Sequence, residues 1–194
     1  TLGQNIDDAP PGWAQDVVRP FSNPIFKGGS IAVLRGNLAP GGAIVKQAAA
    51  SPALMQHEGR AVVFDSLPDM AARIDSPDLD VTPDDMLRMS DARMSGTAFG
   101  AIVLHITPES AVGGPLALVK NGDRIRLDVK NRKLELLVSD EELARRRKQW
   151  KTAKPRKGDE RGYRKLFMDT VQQADRGCDF EFLTAPITVR TPSK

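Results

Sequence analysis

Apolar residues in this chain come in short runs separated by Gly, Pro and Asn. Ile31-Ala32-Val33-Leu34 predicts a strand closed by Arg35-Gly36-Asn37. After the turn signal Pro40-Gly41-Gly42, Ala43-Ile44-Val45 predicts a second, and Ala61-Val62-Val63-Phe64, opened by Gly59, a third. Each run is rich in β-branched residues and bounded by breakers, as strands are. Ala101-Ile102-Val103-Leu104-His105-Ile106 predicts a buried strand, and Leu116 to Val119 a further one. Ile125, Leu127 and Val129 alternate with charged residues, and so do Leu134, Leu136 and Val138 across a turn near Asn131. One face of such a pair is buried and the other wet, which predicts a hairpin.

Helices announce themselves by their caps. Ser66-Leu67-Pro68-Asp69 has capping-box form with Pro in the first turn, so a short helix should run through Met70 and Ile74 and end before Pro77. Ser139-Asp140-Glu141-Glu142 is a second box, opening a helix to about Trp150. Thr107-Pro108-Glu109-Ser110 predicts a cap and one or two helical turns, ended by Gly113-Gly114-Pro115. Residues from Arg164 to Ala174 have a helical pattern, with Gly177 as the stop. Residues 151–161 read as a polar linker.

These elements divide the chain into a lead-in arm over 1–29, a domain over 30–183 and a tail over 184–194. The arm is rich in Pro, Gly and Asn, and Trp13, Val17, Val18, Phe21 and Phe26 are its expected anchors. Many short strands with few helices predict a β-rich α/β barrel or sandwich. The regular βαβ alternation and the Gly-rich fingerprint of a dinucleotide fold are missing.

Composition narrows the classes. The formal charge is only +3, from 28 basic and 25 acidic residues, too balanced to imply nucleic acid. The basic excess is local, at Arg145-Arg146-Arg147-Lys148 and on to Lys157. With no aromatic residues interleaved, it reads as a solvated helix end and linker. A lone cysteine, Cys178, allows no internal disulfide and no cysteine-rich metal site, and fits a reducing cytoplasm. No apolar run approaches the roughly 20 residues of a membrane span. The start, Thr1-Leu2-Gly3-Gln4, resembles neither an initiator Met nor a signal peptide, so the chain is expected to begin inside something longer or to have been trimmed.

The most unusual segment is Ser90-Asp91-Ala92-Arg93-Met94-Ser95-Gly96-Thr97-Ala98-Phe99-Gly100. It sets an acid, a base, hydroxyls and glycines between two apolar runs. Such a loop can bind an anion or supply a nucleophile or base; by composition alone it is equally a polar turn. His105 lies within an apolar run and reads as a packed histidine. His57 reads as a helix-end residue, and Cys178 as a small core residue. The Glu141/Glu142 and Asp84/Asp85 pairs read as helix N-terminal acids.

Residues 91–100 resemble the signature of the sugar-acid branch of the dihydroxy-acid dehydratase family. Three further segments are similar in the same order: Gly29 to Pro40, His105 to Ser110 with Gly113-Gly114-Pro115, and Val138 to Arg146 with Gly177-Cys178-Asp179-Phe180. The resemblance covers nearly the whole chain. It implies the C-terminal domain of a two-domain enzyme, a swivelling β-barrel-like domain flanked by helices and similar to that of aconitase. It also implies an N-terminal domain as partner, carrying a 2Fe-2S iron–sulfur cluster and most ligands of a magnesium ion. In the family the cluster iron is thought to act on the C3 hydroxyl, and magnesium to hold the carboxylate and C2 oxygen.

By match, Ser95 is the base that takes the C2 proton of a 2,3-dihydroxy acid, and Thr97 its hydrogen-bonding neighbour. Asp91, Arg93 and Gly96 would position the loop, unless Asp91 and Arg93 form only a structural ion pair. Asp91-Ala92-Arg93-Met94 favours an aldonate such as arabinonate, xylonate or galactonate as substrate over a branched-chain dihydroxy acid. A cytoplasmic homo-oligomer is expected when the enzyme is whole, without nucleic acid or membrane. One departure stands out. The family's Gly- and Pro-rich loop, which carries a metal-binding glutamate, has no counterpart where Val81-Thr82-Pro83-Asp84 runs into Asp85. No residue here can take the metal-ligand role, so the isolated chain is expected to hold no metal and to be inactive. The alternatives are a non-catalytic binding domain that kept the fold, or part of a branched-chain dihydroxy-acid dehydratase.

Overall fold

A computed structural model describes residues 4–5, 19–25, 27–89, 100–152 and 157–184. Seven strands form one mixed sheet: β1 (Ala32–Gly36), β2 (Ala39–Val45), β3 (Gln56–Phe64), β4 (Met86–Met89), β5 (Val103–Thr107), β6 (Arg124–Asp128) and β7 (Lys133–Leu136). Their order is β4-β3-β6-β7-β1-β2-β5. The β3/β4 and β1/β7 pairs are parallel and the others antiparallel. Among the described residues three further elements are helices of seven to ten residues: α1 (Leu67–Arg73), α2 (Asp140–Gln149) and α3 (Gly162–Thr170). The chain is thus α/β and β-rich, as expected. The runs around Ile31, Ile44, Val62, Ile102, Ile125 and Leu136 fall in or beside strands of this one sheet. Among the described residues it is open, with β4 and β5 as its edges.

Alternation sets the faces. Ala32, Leu34, Ala43, Val45, Ile125, Leu127, Leu134 and Leu136 point into one buried cluster with Leu38, Leu116, Val119 and Val129. Burying each of the larger side chains contributes roughly 1.5–3 kcal/mol. The predicted hairpin forms with Ile125 opposite Leu136 and Leu127 opposite Leu134. Close packing forces one glycine: a Cβ on Gly36 would collide with the Leu134 carbonyl where β1 passes β7.

Both predicted serine N-caps form. Ser66 accepts from the Asp69 amide at the start of α1, and Ser139 from the Glu142 amide at the start of α2. Several expectations need correction. β2 begins at Ala39, because Asn37-Leu38 makes the turn and Pro40-Gly41-Gly42 stays in the strand. β3 begins at Gln56 and runs through Gly59. Leu116 to Val119 is no strand: Pro115–Leu118 is a 3-10 turn that buries Leu116 and Leu118 without pairing. The third helix runs Gly162–Thr170, and Gly177 instead ends the 3-10 turn Ala174–Arg176. Phe21 anchors nothing, being fully exposed, while Trp13, Val17, Val18 and Phe26 lie outside the described residues. The end of the arm is held by Gln47, whose Nε2 donates to the carbonyls of Gly28 and Gly29. Among the described residues no helix is long and apolar enough to cross a membrane.

Candidate functional site

The residues singled out by the signature, Asp91, Arg93, Ser95, Gly96 and Thr97, lie outside the described residues. Their flanks are described. The segment leaves β4, one edge of the sheet, and returns to β5, the other edge. On the departing side Arg88 is buried in β4, and its Nη2 donates to the Leu116 carbonyl at 2.8 Å. On the returning side the Gly100 amide donates to the Ala49 carbonyl at 2.9 Å.

Arg88 is one of three arginines that hold the turn region 113–118. Arg146 Nη1 donates to the Leu118 carbonyl at 2.9 Å, and Arg147 Nη1 to that of Gly113 at 3.3 Å. Gly113 has φ 81 and lies against the Trp150 ring, so a side chain there would be both strained and crowded. Segments around 88, 113 and 146, distant in sequence, are thereby tied together. Arg146 is not part of a solvated helix end: it is buried, with a bidentate ion pair to Asp123 and a contact to Glu142. Hydrogen bonds from Arg145 and then Arg146 lower the Glu142 carboxyl to about 2.

A second feature lies on the solvent face of β1, β2 and β5. Opposite Gly42–Ile44 the β5 strand carries an extra residue, and His105 there adopts φ 51. Such a left-handed residue in a bulge is uncommon outside glycine and re-aims its side chain. His105 is therefore not simply a packed core histidine. It lines a cavity of about 210 Å³ with Val33, Arg35, Ile44, Thr107 and Asp175. This cavity adjoins a cleft of about 490 Å³ formed by Pro40, Gly41, Thr107 and residues 168–176. The far wall is fastened to the sheet by Gln173, whose Oε1 accepts from the Glu109 amide at 2.7 Å. Sequence reasoning placed Arg35 only at a strand end and did not name Asp175; neither was singled out as a site residue. Alternation in β1 could have placed Arg35 on the wet face, but nothing in the sequence brings residue 175 over it.

The remaining candidates have structural places. His57 lies within β3, not at a helix end, with Nε2 at 2.9 Å from the Asp84 carbonyl. Asp84 and Asp85 precede β4 and start no helix. Asp85 is held well below the usual carboxylate range by hydrogen bonds from Arg60 and then Thr82. Glu142 does serve at a helix start. Cys178 is half-buried, with φ 55, and is not a core residue.

Among the described residues no three His, Cys, Asp or Glu side chains stand together as metal ligands. With a single cysteine in the chain, the described residues do not by themselves fit an iron–sulfur cluster.

The described residues thus form an open β-rich sheet with a cleft against one face. Comparison with known proteins makes the class definite. The family model for the C-terminal domain of dihydroxy-acid/6-phosphogluconate dehydratases matches residues 16–87 and 79–178, and the chain belongs to that family. The two matches overlap at residues 79–87. An L-arabinonate dehydratase of Rhizobium leguminosarum bv. trifolii is 44% identical over 205 residues, covering 88% of this chain. An L-arabonate dehydratase of Azospirillum brasilense is 40% identical over 231 residues, covering 100% of it. A 6-deoxy-6-sulfo-D-gluconate dehydratase of Pseudomonas putida is 41% identical over 219 residues, covering 94%. The chain spans 35%, 40% and 38% of the length of these relatives.

Proposed function

We propose that this chain is the C-terminal, swivelling barrel-like domain of a sugar-acid dehydratase, a hydro-lyase converting an aldonate to its 2-keto-3-deoxy acid. The observation that carries the reading is identity of 40–44% along most of the chain to relatives named for sugar acids. In this reading residues 30–183 form the domain body, 1–29 lead in from a partner domain, and 184–194 are a tail. Arabinonate, xylonate and galactonate are the candidate substrates, in a cytoplasmic homo-oligomer without nucleic acid or membrane. An iron–sulfur cluster and magnesium belong to the remainder of the enzyme and would supply Lewis-acid chemistry there.

The part of this chain is proton removal. Ser95, as the alkoxide, takes the C2 proton. The C3–O bond breaks, and the departing hydroxide takes that proton from the Ser95 hydroxyl, leaving as water and restoring the alkoxide. The enol so formed gains a proton at C3 and loses its hydroxyl proton to become the 2-keto acid. A serine hydroxyl is a weak base, so it must be presented as the alkoxide beside positive charge. Thr97 supports it by a hydrogen bond, while Asp91, Arg93 and Gly96 shape the loop. In the full-length enzyme with its cofactors loaded, Ser95→Ala is expected to lower turnover by about 10²- to 10⁴-fold. Its stability should stay within about 0.5 kcal/mol. Thr97→Val should cost less turnover. Paired steady-state kinetics and thermal melts check this, and near-wild-type turnover by folded Ser95→Ala would place the base elsewhere.

A further inference from the structure

We infer that the cavity between the solvent face of β1, β2 and β5 and the turn Ala174–Arg176 binds a small hydroxy acid. Arg35 takes its carboxylate, Asp175 accepts from a hydroxyl, and His105 touches the ligand between them. The choice of ligand rests on the sugar-acid reading above; the site itself rests on the geometry.

Three observations support the site. The first is its shape. A cavity of about 210 Å³ with Val33 and Ile44 as floor, continuous with a larger cleft, suits a small molecule bound at few points. The second is uncommitted charge. Arg35 Nη1 reaches only the carbonyls of Pro40 and Gly41, at 3.4 and 3.2 Å, and its Nε and Nη2 have no acceptor among the described residues. The Asp175 carboxylate likewise has no hydrogen bond or ion pair among the described residues, though it lines the same cavity as Arg35. A ligand with a carboxylate at one end and hydroxyls at the other offers a partner to each, since Arg binds carboxylates through two parallel N–H groups. The third is the backbone of His105. A bulge with φ 51 aims a side chain at a chosen place, and here that place is the same cavity.

His57 and His105 are the only two histidines, so imidazole NMR on the 194-residue chain reads the site directly. His57, bonded to the Asp84 carbonyl on another part of the sheet, is the internal control. Titration with sodium L-arabinonate should shift the His105 ring resonances saturably and leave His57 in place. L-arabinitol, which lacks the carboxylate, and acetate, which lacks hydroxyls, should give no saturable shift. Arg35→Gln should weaken the apparent Kd by about tenfold or more, the scale of one charge-assisted hydrogen bond. Asp175→Asn should weaken it less. His105→Asn, a residue that tolerates positive φ, should keep a native amide spectrum and assign the moving signal. The site is overturned if His105 does not move, or if His57 moves in parallel. An equal response to L-arabinitol overturns the hydroxy-acid assignment, and unchanged affinity in Arg35→Gln overturns the role of Arg35. Turnover of an aldonate by the full-length enzyme with His105 silent would remove this inference and leave the dehydratase reading standing. Saturable binding without turnover by the loaded enzyme would do the reverse.

Discussion

Two clusters of charge in this chain are built on opposite terms. Beneath α2, the Arg146 and Asp123 side chains are each only 9% exposed, and Arg146 also holds Glu142 and the Leu118 carbonyl. Every charge there is spent on a neighbour. On the solvent face of β1, β2 and β5, Arg35 and Asp175 line one cavity and leave each other alone. The first arrangement fixes the turn region 113–118 against the sheet. The second leaves donors and acceptors for something from solution. The same residue types thus serve architecture in one place and recognition in another, and the difference is legible in burial and bonding rather than in the residues themselves.

Breaking the buried cluster should have the larger effect on stability. Arg146→Met leaves the Asp123 carboxylate inside without its cation. Removing one partner of a buried pair costs about 3–5 kcal/mol, and the lower end applies because the Lys120 amide still donates to Asp123 Oδ2. In a chain of this length a 3 kcal/mol loss lowers Tm by roughly 6–12 °C. An unchanged melt would mean that the pair is solvated. Acid offers a milder test of the same cluster. The Glu142 carboxyl titrates at about 2 when folded, against an ordinary 4.5. A depressed carboxyl contributes its stability fully above the ordinary value, and that contribution is lost as pH falls from about 4.5 toward 2. Denaturant melts across this window should therefore lose stability on acidification, and Glu142→Gln should flatten that limb. Smallest of all should be Arg35→Gln, an exposed side chain with only long bonds to carbonyls. Its Tm should match wild type, within the about 0.5 kcal/mol usual for surface changes. A large loss there would show that Arg35 is structural and erase the contrast.

Local patterns told the truth where local physics decides. The β6/β7 hairpin follows from alternation, and the starts of α1 and α2 follow from Ser66 and Ser139 with their acids. Sequence failed where a partner lies far along the chain. Arg146 looked like one of a solvated basic run, because Asp123 is 23 residues away. Leu116 to Val119 has strand composition, yet Gly114-Pro115 turns it into a 3-10 segment whose carbonyls are claimed by Arg88 and Arg146. His105 sits in an apolar run, and only the register of β2 against β5 reveals its bulge. Pro40-Gly41-Gly42 reads as a turn but is drawn into β2 by its neighbours. Of the site, the signature around Ser95 was readable from its likeness to a family. The cleft was not, since it is assembled from β1, β5 and a turn near residue 175.

The proposal that this domain serves an enzyme acting on sugar acids is tested most directly by product analysis with the full-length protein, its cofactors loaded, offered L-arabinonate, D-xylonate, D-galactonate and 2,3-dihydroxyisovalerate in parallel. The account predicts a 2-keto-3-deoxy acid from at least one aldonate, at a kcat/KM exceeding that for the branched-chain substrate. Dehydration of 2,3-dihydroxyisovalerate alone, or of none of the four by a folded and loaded enzyme, would contradict it.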